Sequence, residues 1–381
     1  MARLPDLNHI LYKVVAVAVT IVCILQPMPL QASESDDAST DTTESKTYWI
    51  HQLIDNGFHI NDPSVKYPRF PRFALKVYNW GDRTFNSYDS TYVVSTGKNW
   101  KAQLKNEDWM RTYMMQLGDK STVHITSKLY YDLGAYVSFM AVTLGYSFNL
   151  NNFMGDNTNR HRFDLNFTCS RFAFNFWTLK VNGGTIIRKF GDYKDGDHLN
   201  YPFNDLDVAD SHLELYYFFN NRQYSQAAAY CFSKYQLKSA GSWIIGISYD
   251  RHNLRLDFSS LPQAMLDALP SLQREYHMRH TDYCVLGGYA HNWVLKPREW
   301  LINLTTLPFI GYKHSSTTDH PDRDIRNMMS LNITGMGSVV YNHRALYAAL
   351  QARINGFFNM SSDYTFFTSN QMITLVAGFR F

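Results

Sequence analysis

The chain has 381 residues, a formal charge of +3, a pI near 8.5, 18% charged residues and 15% aromatics, with 26 Tyr and 25 Phe against 20 Gly. A mild positive balance without Lys/Arg blocks argues against nucleic acid as the main partner. No stretch beyond Leu25 is continuously apolar over the roughly 20 residues that a spanning helix needs, which excludes a helical membrane protein on length.

The N-terminus opens with Arg3 and Lys13, continues through an apolar run over residues 14–25, and breaks at Pro27 and Pro29 before Ala32. This predicts a secretory signal peptide over residues 1–32, cleaved after Ala32, because the run is too short for an anchor. Cleavage removes Arg3, Lys13 and Asp6, so the charge falls from +3 to +2. Cys169, Cys231 and Cys284 remain, an odd and sparse set inside apolar runs, which is no disulfide framework.

Residues 33–46, "SESDDASTDTTESK", read as a polar linker. Residues 47–58 place Trp49, Ile50, Leu53 and Ile54 at helical spacing before Gly57 and predict a short amphipathic helix. It begins an N-terminal extension over residues 47–118, helix plus mixed strand segments, of which residues 73–104 are the hardest to place.

From residue 119 the period is two. In "RHRFDLNFTC" Phe163, Leu165 and Phe167 alternate with Arg162, Asp164 and Asn166. In "ALYAALQARINGFFN" Leu346, Leu350 and Ile354 alternate with Tyr347, Gln351, Arg353 and Asn355. Similar runs are "KLYYD", "GAYVSFMAVTLGYSFN", "SRFAFNFWTLKV", "SHLELYYFFN", "YSQAAAYCF", "SWIIGISYD", "TDYCVLGGYAHNW", "EWLINLTTLPFIGYKH", "MSLNITGMGSVVYN" and the terminal "MITLVAGFRF". Many exceed the 5–6 residues usual in soluble sheets and suit tilted membrane-crossing strands of about 9–11 residues. Short breaks such as "NNRQ" and "NHR" alternate with long polar ones.

The expected fold is all-β: a transmembrane antiparallel β-barrel of about 12 strands over residues 119–381, with 10 or 14 if residues 73–104 or a parity shift at Phe176 and Trp177 add or merge strands. A soluble secreted sandwich is the alternative. Tyr146, Trp177, Tyr217, Tyr249, Trp293 and Tyr312 are candidates for interfacial girdles. The parity turns Arg162, Asp164, Glu214, Gln351, Arg353, Asn355 and Arg380 into the lumen, as a salt-bridged plug or the lining of a narrow pathway.

The last strand turns Phe379 and Phe381 to lipid. A terminal aromatic behind alternating apolar residues resembles the assembly signal of bacterial outer-membrane barrels, which implies the barrel-insertion machinery as a partner.

Two stretches, residues 76–109 and 218–250, resemble a Bacteroidetes family known only as domain-of-unknown-function family 4421, and "QLKSAGS" is the most distinctive part. The resemblance covers roughly residue 60 to the terminus. It implies a barrel in the outer membrane of a Gram-negative cell and no assigned catalytic residues.

Chemistry is sparse. His314 and Ser316 match part of the His-x-Ser-Asn-Gly stretch of lipid-hydrolysing barrels but lack its Asn-Gly, and a nucleophilic Ser needs an oriented base. Asp192, Asp195 and Asp197 resemble a calcium loop, but Phe203 stands where the twelfth position needs Glu. The His residues show no metal-ligand spacing, and no metal or cofactor is expected. The expected function is a non-enzymatic outer-membrane barrel, either a narrow channel or a binding and structural component, with lipid and an unknown small solute or ligand as partners. The alternative is a lipid-modifying hydrolase.

Overall fold

The computed structural model describes residues 49, 51–53, 55–56, 60–69, 71–73, 75–76, 79–80, 87–98, 100–117, 121–139, 142–151, 159–196, 198–268, 274–315, 329–360 and 364–381. The signal peptide, the polar linker and Ser316 lie outside them. Among the described residues no helix is long and apolar enough to cross a membrane.

Seventeen strands follow in chain order: β1 (Val93–Ser95), β2 (Trp100–Leu117), β3 (Ser121–Ser127), β4 (Tyr130–Phe139), β5 (Val142–Asn149), β6 (Asn159–Thr168), β7 (Phe172–Asn182), β8 (Thr185–Phe190), β9 (Tyr201–Phe203), β10 (Leu206–Phe218), β11 (Lys234–Gln236), β12 (Ala240–Asp257), β13 (Glu275–Lys296), β14 (Trp300–Ser315), β15 (Met329–His343), β16 (Leu346–Met360) and β17 (Tyr364–Arg380). Among the described residues from β1 onward, two short α-helices, α1 (Gln226–Tyr230) and α2 (Gln263–Asp267), sit in connections.

The strands pair antiparallel in one curled sheet, β6-β7-β10-β12-β13-β14-β15-β16-β17-β2, in which β17 pairs β2 over its whole length and joins the last strand to the first; among the described residues the edge strands β5 and β6 do not pair with each other. Beyond β2, β3 pairs its far half and β4 its near half, which makes β3 and β4 one wall strand interrupted at Lys128 and Leu129. β5 pairs β4, and β8 pairs β3 at the far end. Counting β3 with β4, the wall has twelve up-and-down strands among the described residues. The near end, where β2 begins and β17 ends, has tight connections at residues 169–171, 297–299 and 344–345.

The count of twelve agrees with the sequence, although two elements differ. The expected extension over residues 47–118 stops short, because Trp100–Leu117 is the first wall strand. Its inward face alternates Lys101, Gln103, Lys105 and Glu107, polar enough to hide the strand pattern. The expected strand "YSQAAAYCF" is instead α1, where Ser225 Oγ accepts from Ala228 N–H at 3.2 Å and three alanines follow the cap. An N-cap serine before good helix formers outweighs an ambiguous apolar run.

Side chains divide by parity. Leu104, Ile247, Val285, Leu304, Ile310 and Leu375 are exposed on the outside, and the alternate positions are buried. Trp243, Trp293 and Trp300, with Phe379, form an exposed aromatic ring toward the near end, and Tyr283 and Tyr312 another higher up. Along β14, Trp300 to Tyr312 spans roughly 40 Å of strand, or about 28 Å of height at a 45° tilt. Tyr249 faces outward, its ring 5.4 Å from that of Tyr283. Trp177, expected in the girdle, is buried instead and packs on His212 with ring centroids 5.1 Å apart. Its neighbours at the same parity, Ala173, Leu179 and Val181, also face inward.

Candidate functional site

The interior holds three layers. At the near end, residues 219–239 form a long insertion that folds back inside the wall, and β11 within it pairs with β1. Gln236 is its hub. Its Oε1 accepts from Ser225 N–H at 3.0 Å and Asn292 Nδ2 at 3.1 Å, and its Nε2 donates to the carbonyls of Gln223 at 2.5 Å and Lys238 at 2.9 Å.

The carbonyls that a short helix leaves unbonded find partners on the wall. Ser338 donates to Ala229 O at 2.8 Å, Lys101 to Cys231 O at 2.6 Å, and Arg380 Nε to Phe232 O at 2.8 Å. Arg380 also donates to Asn342 at 2.6 Å and lies 4.3 Å over the Tyr347 ring. Tyr230 donates to Asn303 Oδ1 at 2.8 Å, and Asn303 Nδ2 donates to Tyr224 at 3.1 Å. Burial pushes the phenols of Tyr224 and Tyr230 above their ordinary values.

At the far end the cap is apolar. Inward residues Tyr113, Met115, Leu254, Leu256 and Phe366 pack against Ile187, Phe190, Phe203, Phe258 and Met265 from the connections. The successive positive φ values of Gly183 and Gly184, +69° and +70°, turn the chain from β7 toward the edge of β3.

Between plug and cap lies a layer of buried charge. Arg111 pairs with Asp210, whose Oδ1 meets His252 Nδ1 at 3.1 Å. His212 pairs through Nδ1 with Asp250 and lies 2.8 Å from Glu214 Oε1 through Nε2. Glu214, fully buried, also receives Arg353 at 3.2 Å, Asn175 at 3.1 Å and the Tyr216 hydroxyl at 3.2 Å. Beside this chain, His252, His280 and Asp282 bring their ligand atoms within 4.8 Å of one another around a cavity of about 30 Å³.

The sequence-selected residues fall into three groups. Glu214, Gln351, Arg353, Asn355 and Arg380 are on the inner face. Gln351 Nε2 donates to Ala229 O at 3.4 Å, and Arg353 Nε donates to Asn355 Oδ1 at 3.1 Å. Arg162 and Asp164 form their own pair at 2.8 Å, with Glu107 3.6 Å from Arg162, and the Asp164 side chain is one-third exposed. His314 is exposed on the outer face above Tyr312, and among the described residues no carboxylate orients it. Phe379 is exposed, and Phe381 stacks between it and Trp100 at centroid distances of 5.6 and 6.2 Å.

The sequence reading missed Asp210, His212, Asp250, His252, His280 and Asp282. The available signal was period-two placement: Asp210, His212 and Glu214 share one face of β10, as Asp250 and His252 share one face of β12.

Residues 87–381 match the family described as domain of unknown function (DUF4421). No curated protein matches. Among solved structures the chain is similar to the outer membrane protease OmpT of Escherichia coli, at 6% identity and TM-score 0.32 over 74% of this chain and 97% of that one. It is also similar to the translocator domain of the autotransporter NalP of Neisseria meningitidis, at 10% identity and TM-score 0.28 over 88% and 99%. A third is the toluene transporter TodX of P. putida, at 6% identity and TM-score 0.21 over 79% and 97%. The chain belongs to the DUF4421 family, and the matched region takes in the plug strand β1 and runs through the closing strand β17.

Proposed function

We propose that this protein is a non-enzymatic outer-membrane barrel with a filled lumen, a binding or structural component that works through its ends rather than as an open channel. The observation that carries the reading is the insertion at residues 219–239, fastened to wall strands by Lys101, Asn292, Asn303, Ser338 and Arg380. The exposed apolar band between two aromatic rings supports a bilayer location, since only a closed barrel satisfies its backbone in lipid. Asp210, Asp250 and Glu214 of the charged layer pair with Arg111, His212 and Arg353, as a structural network across the lumen requires. Phe379 and Phe381 serve assembly by the insertion machinery.

Two measurements test this reading. Membrane fractionation is expected to recover the protein with the outer membrane, and a soluble periplasmic protein would overturn the location. Planar-bilayer recording of purified protein, shown folded by a heat-modifiability gel, is expected to be silent. Discrete conductance steps would show an open pathway and end the filled-lumen reading.

A further inference from the structure

We propose that His252, His280 and Asp282 bind one borderline divalent cation, zinc or a chemical relative, inside the far half of the barrel. His252 and His280 are direct cross-strand partners on β12 and β13, and Asp282 is the next inward residue along β13. Two imidazole nitrogens and a carboxylate oxygen suit zinc, cobalt or nickel better than calcium or magnesium, which prefer all-oxygen shells.

Two of the three donors have nothing else to do. His252 Nε2 and Asp282 Oδ1 are buried without a hydrogen-bond partner among the described residues, and their side chains are 9% and 3% exposed. An unsatisfied buried polar atom is costly, and two facing one cavity point to a missing occupant. The remaining atoms of both side chains are held from behind. His252 Nδ1 bonds Asp210 Oδ1 at 3.1 Å, which leaves the lone pair on Nε2, and Ser330 donates to Asp282 Oδ2 at 2.8 Å. Such outer partners orient metal ligands.

The nearby cations are engaged elsewhere, Arg111 with Asp210 and Lys313 with Asn359 at 2.5 Å. Zinc with bonds of about 2.1 Å holds its ligands roughly 3.4 Å apart, so the present 4.8 Å spread closes by side-chain rotation. The cavity of about 30 Å³ leaves room for a water in the fourth position.

Chelator-stripped, folded full-length protein in detergent is titrated with Co²⁺ and followed by visible absorption. One equivalent with four-coordinate d–d bands, displaced by Zn²⁺ but not by Mg²⁺, is expected. His280→Gln with Asp282→Asn should abolish the bands, and Ser330→Ala should weaken affinity about tenfold. Absence of bands in the native protein, or bands retained in the double variant, would overturn the site. Should the double variant fail to fold, proton NMR of the native cobalt form decides: two paramagnetically shifted imidazoles support the site, and fewer sink it.

Discussion

Arg353 on β16 reaches Glu214 on β10 across the lumen at 3.2 Å, with β12, β13, β14 and β15 between them in the wall. The pair therefore ties opposite sides of the barrel, and its geometry depends on the curl of the whole sheet.

Because Glu214 is fully buried, removing its charge leaves Arg353 without a counterion, while His212 keeps Asp250. Glu214→Gln is expected to cost roughly 3–5 kcal/mol of unfolding free energy in urea. Arg353→Met should cost less, since Asn175, Tyr216 and His212 still serve the carboxylate. The double variant should fall short of additivity by at least about 0.5 kcal/mol, and strict additivity would mean that the two side chains are uncoupled.

Gln236 occupies the centre of the plug with four hydrogen bonds, to Ser225, Asn292, Gln223 and Lys238. Gln236→Ala leaves several of those partners buried and unsatisfied, at about 1 kcal/mol or more each. Hydrogen exchange in residues 224–236 should speed up by at least tenfold while the ladders of β13 to β16 keep their protection. Equal acceleration throughout would place Gln236 in the global fold rather than in the plug.

Gly378 lies under the ring of Tyr347, where an added Cβ would come within 2.2 Å of that ring. The same ring carries Arg380 and sends its hydroxyl to Gln103 on β2 at 3.0 Å, so it joins β16, β17 and β2 at the barrel seam. Gly378→Val should displace Tyr347 and lower the heat-modifiable fraction by several-fold, whereas Gly287→Ala, whose added Cβ meets nothing within 4 Å, should leave it unchanged. A normal gel for Gly378→Val would show that the seam does not need this contact.

Parity made the wall legible in the sequence. Leu346, Leu350 and Ile354 facing out and Gln351, Arg353 and Asn355 facing in follow from a period of two once one face is known to be apolar. Trp100–Leu117 escaped because its inward side chains are lysines, Gln103 and Glu107, whose burial is tolerated only through distant partners such as the Cys231 carbonyl and Arg162. The helix at Gln226–Tyr230 escaped for a related reason: its alanines are apolar in either conformation, and the cap at Ser225 and the space inside the barrel decide. The charged layer was half visible. Glu214 and Arg353 stand out within their own strands, but their meeting, and that of His252 with Asp210, depends on strand order and register, which alternation does not encode.

Leu304 separates the bilayer reading from a soluble sheet. It is 55% exposed on β14, four residues from Trp300 and eight from Tyr312, hence a third of the way across the apolar band, about 9 Å from its near edge. On a water-facing surface Leu304→Arg should change stability by no more than about 0.5 kcal/mol. In lipid it meets hydrocarbon and should cost roughly 1–3 kcal/mol at that depth, whereas the same change at the level of the rings, Trp300→Arg, should cost about 0–1 kcal/mol for the charge itself. Urea titration of each variant refolded into phospholipid vesicles measures both. A depth-dependent penalty supports the transmembrane barrel, and equal small effects at the two positions would return the outer face to water.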